Sequence, residues 1–152
     1  MILLNAWSRP LRSGKQNPKN YPWWPQVLQK ITVPVVQVAV RGDQPLVPDV
    51  RWDLNLTELA QLVDECDTWL AVDSFFQHFC WDLLKQGIVV WGPSNPHIFG
   101  HEQNINLTLG PQAWRANQFL TWEQEPWDAQ KHVPPKQVLT ALCQLLPGST
   151  ST

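Results

Sequence analysis

The polar residues that could bind a ligand are concentrated in two segments, each of which follows an apolar run. Asp73 and Ser74 come directly after the apolar residues 69–72, and a helix pattern begins at Phe75. Amide N–H groups at the beginning of a helix lack intrahelical acceptors, and the helix dipole favours an anion there. Asp73 and Ser74 could equally serve only as helix caps. Residues 73–77 are therefore a candidate site for a phosphate or diphosphate.

A long basic loop is the second candidate segment. Residues 7–19 follow the apolar run Ile2–Leu4 and combine Gly, Pro, Asn and Ser with the cations Arg9, Arg12, Lys15 and Lys19. That composition excludes a regular helix or strand. Because cations have no structural purpose in the core, these four side chains would face the same crevice as Asp73 if the loop met it, and they could bind an anion there. The alternative is that the basic loop is only a solvated surface.

Histidines offer weaker candidates. His78 lies one turn into the helix that follows Ser74, where it either lines the site or packs among aromatic residues. His97 and His101 are four residues apart, but the flanking Pro96 and Gly100 exclude a shared helical face. We predict no metal site, and no catalytic residue can be assigned from the order of Ser, His, Asp and Cys residues along the chain.

The elements that must position these residues alternate between strand and helix patterns. Strands are predicted at residues 2–4, 35–40, 68–72, 88–91 and 105–108, with a vestigial strand near Val50. Helices are predicted at residues 23–31, at 58–66 with Asn55 or Thr57 as the cap, at 75–85 with Gly87 as the stop, and at 136–146. The Trp- and Gln-rich residues 112–133 are predicted to be irregular or partly helical.

This alternation predicts an α/β fold, a single Rossmann-like doubly wound parallel sheet with helices on both faces. We expect one domain over residues 1–147 and a disordered tail over residues 148–152. With the strand order 3-2-1-4-5, a ligand would bind outside the carboxyl ends of strands one and four. The loop at residues 7–19 and the turn at 73–78 would meet there.

Composition excludes several other functions. The 152 residues suit one domain, and a net charge of −2 gives no general attraction to nucleic acid or to an anionic membrane. Three cysteines without regular spacing argue against a disulfide framework or a zinc ribbon. The apolar run at the N-terminus is too short for a signal sequence, and no run is long enough to span a bilayer. We therefore expect a soluble cytoplasmic protein.

Three motifs occur in order along the chain: Lys19-Asn20-Tyr21-Pro22, the stretch from Asp73-Ser74 to His78, and Gly92-Pro93-Ser94-Asn95-Pro96. Together they resemble a known family, the heptosyltransferase-like glycosyltransferases of family nine, which are inverting enzymes of GT-B architecture. The resemblance covers roughly residues 2–109 and concerns the C-terminal, nucleotide-sugar-binding half of the family. Phe75 stands where the family motif has glycine.

The resemblance implies a nucleotide or nucleoside-diphosphate sugar as ligand, with no further cofactor. It implies that Lys19 contacts a donor phosphate, that Asp73, Ser74 and the next amides bind the diphosphate, and that Arg41 and Gly42 lie near the nucleoside. The full set of expected ligand-binding residues is Ser8, Arg9, Lys15, Lys19, Arg41, Gly42, Asp73, Ser74, Phe75, Phe76, Gln77, His78, Gly92 and Ser94.

The family's N-terminal domain, which supplies the acceptor site and the catalytic base, has no counterpart in these residues. The resemblance therefore implies that transfer needs a partner polypeptide. Two alternatives remain open at this point. The chain could bind or sequester a nucleotide without catalysis, or it could be an oligomeric interaction module whose interface is the segment Trp114–Trp127 and whose nucleotide site is vestigial.

Overall fold

The computed structural model describes residues 1–151, which form a parallel six-stranded sheet in the order β3-β2-β1-β4-β5-β6. The strands are β1 (Ile2–Asn5), β2 (Val35–Ala39), β3 (Asp49–Trp52), β4 (Thr68–Val72), β5 (Ile88–Val90) and β6 (Ile105–Leu107). The predicted order is confirmed, and the strand expected to be vestigial near Val50 is a full edge strand paired with β2. The order along the sheet reverses between β1 and β4.

Alternation along the strands divides the core between the two faces of the sheet. Ile2, Leu4, Leu70 and Val72 lie in one buried cluster, and Leu3, Trp69 and Ala71 lie in the other. Helices therefore cover both faces, as predicted. They are α1 (Trp24–Leu28), α2 (Leu56–Glu65), α3 (Phe75–Asp82), α4 (Pro96–Phe99) and α5 (Pro135–Leu145), of which α1 and α5 contribute to the first cluster and α2 and α3 to the second.

The beginning of α2 resolves which residue caps that helix. The Asn55 side chain accepts a hydrogen bond from the Glu58 amide at 2.9 Å, and the Glu58 carboxylate accepts one from the Asn55 amide at 2.9 Å. This reciprocal pair is a capping box. Asn55 is therefore the cap, and Thr57 lies inside the helix.

The end of α3 differs from the prediction. The helix ends at Asp82, and Leu84 adopts a left-handed conformation with φ of 58°. Gly87 serves a different purpose from the predicted helix stop, because a Cβ atom there would lie 2.2 Å from the Trp69 ring. The sequence shows the glycine but not the indole that requires it.

Helix α1 is shorter than predicted because the residues after it pair with the end of the chain. The Thr32 amide donates to the Ser149 carbonyl at 2.8 Å, and the Ser151 amide donates to the Lys30 carbonyl at 2.7 Å. Residues 148–151, assigned from sequence to a tail, thus contact the segment after α1, and residue 152 lies outside the described residues. None of the helices within residues 1–151 has the length and apolar character needed to cross a membrane.

Candidate ligand-binding site

A cleft of about 970 Å³ lies at the carboxyl ends of β1, β2 and β4, where the strand order reverses. One wall is the basic loop after β1, and another is the beginning of α3. The wall beside β2 is mainly apolar and includes Val38, Val40, Leu54, Leu56 and Leu59. A parallel α/β sheet binds its ligands in such a crevice.

Lys19 and Asp73 join the basic loop to the end of β4. The Lys19 ammonium lies 2.8 Å from Asp73 Oδ2, and both side chains are largely buried, with 18% and 6% of their surface exposed. Asp73 Oδ1 accepts a second bond from the Gln77 side chain at 2.8 Å. Oδ2 is buried and accepts no hydrogen bond, so the Lys19 charge is its partner only as an ion pair, and the lysine retains N–H donors for a ligand.

Ser8 lines the cleft and also holds the basic loop in place. Its hydroxyl donates to the Asp73 carbonyl at 2.6 Å, and its amide donates to the Asn20 side chain at 2.9 Å. The Asn17 side chain donates to the Arg9 carbonyl at 2.8 Å. These bonds hold the basic loop against the end of β4. The loop is therefore fixed in place even though it forms no regular helix or strand.

The first residues of α3 divide between the cleft and the core. Ser74 accepts a hydrogen bond from the Phe76 amide at 3.3 Å and donates to the Asn5 side chain at 2.9 Å. Phe75 is 62% exposed and lines the cleft, whereas Gln77 is fully buried and does not. Of the side chains predicted in this stretch, those of Asp73, Ser74, Phe75, Phe76 and His78 therefore reach the cleft.

The charges along the cleft leave two guanidinium groups unpaired. The Asp43 carboxylate accepts the Val40 amide at 3.0 Å, and the Glu123 carboxylate accepts the Arg12 amide at 2.7 Å. The bond from the Arg12 amide lowers the pKa of Glu123. Within residues 1–151, the side chains of Arg9 and Arg12 make no ion pair within 4.0 Å, although the Arg12 charge also contributes to lowering the pKa of Glu123, so both are available to an anion in the cleft.

His78 forms a pair with a histidine that sequence reasoning did not connect to the site. Its Nδ1 lies 2.8 Å from Nε2 of His101, whose ring stacks on Trp81 at 4.5 Å with an interplanar angle of 9°. Burial, together with the neighbouring His78, lowers the pKa of His101. His101 therefore holds His78 at the cleft from outside it.

Trp122 is a cleft residue that the sequence analysis did not select. Its indole contacts two cations, with the Lys19 ammonium 4.7 Å and the Arg115 guanidinium 3.4 Å from the ring centroid. These are cation–π contacts, and they fix both the lysine and the ring. The only sequence signal was the abundance of Trp in residues 112–133, which does not say which ring faces the cleft.

Besides Gln77, five predicted residues lie away from the cleft. Arg41 and Gly42 are on the turn after β2, where Val40 and Asp43 line the cleft instead. Lys15 lines a smaller neighbouring hollow. Gly92 packs against His132, since a Cβ there would lie 2.4 Å from Nε2, and Ser94 is fully buried.

The remaining aromatic and histidine candidates have partners within the chain. His97 packs against Trp114 with ring centroids 5.7 Å apart, and the Trp127 indole donates to the Asn20 carbonyl at 3.0 Å. In the segment Trp114–Trp127, the exposed apolar side chains are mainly Phe119 and Leu120. In the described part of the chain, no group of three or more His, Cys, Asp and Glu residues is arranged to hold a metal ion.

The fold is similar to that of E. coli ADP-heptose LPS heptosyltransferase II, with a TM-score of 0.61 and 14% sequence identity. The alignment covers 95% of this chain and 46% of that chain, so this chain spans about half the length of the structure it matches. No protein-family model and no curated protein sequence matches the chain. At this identity the likeness shows the fold alone, and it agrees with the Rossmann-like parallel α/β sheet that the sequence predicts.

Proposed function

We propose that this chain binds a nucleoside diphosphate, free or linked to a sugar, in the cleft at the carboxyl ends of β1, β2 and β4. One observation carries the proposal. The unpaired guanidinium groups of Arg9 and Arg12 face the same cleft as Lys19 and the beginning of α3. Cations, helix N–H groups and a helix dipole together favour a multiply charged anion.

The two kinds of cleft wall suit the two parts of such a ligand. The diphosphate would lie between the Arg9 and Lys19 side chains and the first amides of α3. The nucleoside would lie along the apolar wall beside β2, which Val38, Val40 and Leu56 help to form. A cleft of about 970 Å³ accommodates a ligand of that size.

We further propose that the chain is the donor-binding half of a glycosyltransferase. The similarity in fold supports this proposal, since the matched structure is a heptosyltransferase of which this chain covers 46%. Transfer would then need an acceptor-binding region on a partner chain or on a second copy of this chain. Catalysis requires donor, acceptor and base to be held together.

A second function, nucleotide binding without catalysis, is favoured by Phe75. The side chain is 62% exposed at the first position of α3, so its ring occupies space that a diphosphate approaching the helix would use. A site altered in this way can retain a nucleotide without presenting it for transfer. Mass spectrometry of ligand released from the purified protein separates the two functions, because a retained nucleotide without sugar favours sequestration.

Calorimetry with ADP, UDP, GDP and CDP and their common sugar derivatives tests the proposal. Wild-type protein should bind at least one of them, and Lys19→Ala should weaken that binding about tenfold or more, as expected for the loss of a charge-assisted hydrogen bond. Arg41→Ala is the matched control, because its side chain is 94% exposed and lies off the cleft wall. Failure of every nucleotide to bind the wild-type protein would refute the proposal.

A further inference from the structure

A small hollow beside the main cleft is not used by the proposed nucleotide site. Its volume is about 260 Å³, and it lies between the basic loop and the Trp-rich segment. Leu11 and Glu123 line both the hollow and the cleft, so the two are neighbours along one surface. The other lining residues are Lys15, Gln16, Gln124, Glu125, Pro126 and Trp127.

The aromatic and acidic walls of the hollow are held in place by the protein. The Trp127 indole N–H donates to the Asn20 carbonyl at 3.0 Å, while 37% of the residue remains exposed. Glu125 is paired with the Lys131 ammonium at 2.7 Å, and Glu123 accepts the Arg12 amide at 2.7 Å. A ring fixed in this way offers a flat apolar surface whose ordering cost is already met by the fold.

Three long polar side chains of the hollow remain available. Within residues 1–151, the side chains of Lys15, Gln16 and Gln124 make no hydrogen bond to the protein, and all three residues are exposed. Lys15 and Glu123 line the hollow with opposite formal charges, and Glu125 is paired with Lys131. The hollow is thus nearly neutral overall, which favours an uncharged ligand with many hydroxyl groups over an anion or a cation.

We propose that this hollow binds one neutral hexopyranose ring. One face of the sugar would pack on the Trp127 indole, and its hydroxyl groups would bond to Gln16, Gln124 and Lys15. The volume is just below the range typical of drug-sized ligands, as suits a single ring. The ring could belong to a nucleotide sugar in the cleft, which rests on the proposed function, or to a separate saccharide, which does not.

Two measurements distinguish these sources. Saturation-transfer NMR with the methyl α-glycosides of glucose, galactose and mannose tests a separate saccharide. Calorimetry of UDP against UDP-glucose, ADP against ADP-glucose and GDP against GDP-mannose tests a tethered one. In at least one arm the wild-type protein should bind the sugar, and the Gln16→Ala/Gln124→Ala variant should weaken that binding about tenfold, the effect of losing two hydrogen bonds.

The Gln130→Ala/Gln137→Ala variant is the control, because both glutamines are exposed and neither lines the hollow. Circular dichroism should confirm that both variants fold, and Lys15→Met provides a further variant on the same wall.

Absence of a sugar effect in both arms, or sugar binding unchanged in the Gln16→Ala/Gln124→Ala variant, would overturn the proposal. If nucleoside diphosphates bind equally with and without sugar and no glycoside binds, the proposed sugar site is refuted while the proposed nucleotide site stands. If a glycoside binds and no nucleotide does, the sugar site stands and the nucleotide site is refuted.

Discussion

The Lys19 ammonium and the Asp73 carboxylate lie 2.8 Å apart across the point where the strand order of the sheet reverses. This ion pair connects the basic loop after β1 to the beginning of α3, the two segments that form the proposed phosphate site. Both side chains are largely buried, so water screens the pair weakly. The pair therefore shapes the cleft whether or not a ligand is present.

Asp73→Ala should lower the free energy of unfolding by about 3 kcal/mol, because it leaves a partly buried ammonium and the buried Gln77 amide without their acceptor. Urea denaturation measures this change. Asp49→Ala is the matched control, since the Asp49–Arg51 pair is about half exposed and should contribute little. Equal effects of the two substitutions would show that the Lys19–Asp73 pair does not stabilise the cleft.

Phe75→Ala should tighten the binding of a nucleoside diphosphate several-fold. The ring is exposed in the cleft at the first position of α3, and its removal lets phosphate oxygens approach the helix amides. Calorimetry against the best-binding nucleotide provides the measurement. Leu83→Ala, at the other end of the same helix and 43% exposed, should leave the affinity unchanged. Weaker binding in Phe75→Ala would instead mean that the ring contacts the ligand.

The burial of His132 makes the stability of the protein depend on pH. Burial lowers the pKa of this histidine, whose Nδ1 lies 3.2 Å from the Asp128 carbonyl. The folded state therefore resists protonation, while the unfolded chain takes up a proton near the ordinary histidine pKa of about 6.5. The resulting stability is present above that pH and is lost as the pH falls below it.

Urea denaturation at pH 7.5, 6.5 and 5.5 should show the loss, and His132→Gln should flatten the dependence. His101→Gln should flatten it less, because that ring is less buried than His132. A wild-type stability that is constant or rises as the pH falls from 7.5 to 5.5 contradicts this account.

Asn55→Ala should lower the free energy of unfolding by about 1 kcal/mol, the typical cost of losing a helix cap. For a chain of this size, that corresponds to a fall of about 3 °C in Tm. Thr57→Ala is the control, since Thr57 lies in the first turn of α2 and makes no capping bond. The opposite ranking in a thermal melt would identify Thr57 as the cap.

The parallel sheet and its switch point were predictable because the apolar runs are short, β-branched and separated by helix patterns. The positions of Lys19 and Asp73 followed from the same topology, since both lie where the carboxyl ends of β1 and β4 meet. The contacts that depend on distant side chains were not predictable. The pairing of His78 with His101 and the contact of Lys19 with Trp122 join residues far apart in sequence, and no local pattern encodes them.

The turn after β2 also shows what could not be predicted from the sequence. The family resemblance implied that Arg41 and Gly42, at the end of the second strand, lie near the nucleoside. The chain instead turns so that Arg41 points to solvent and approaches Asp53, with a separation of 3.8 Å between Nε and Oδ2. Strand position alone therefore locates a turn at the cleft without showing which of its side chains face inward.

Titration of ¹⁵N-labelled protein with ADP, UDP, GDP and CDP, followed by amide chemical shifts, tests the central claim most directly. At least one nucleotide should shift the amides of Phe75, Phe76 and Gln77 together with those of residues 9–12, while the distant helix α5 stays unperturbed. Absence of shifts with all four nucleotides, or shifts confined to surfaces away from these two segments, would contradict the proposal that this cleft binds a nucleoside diphosphate.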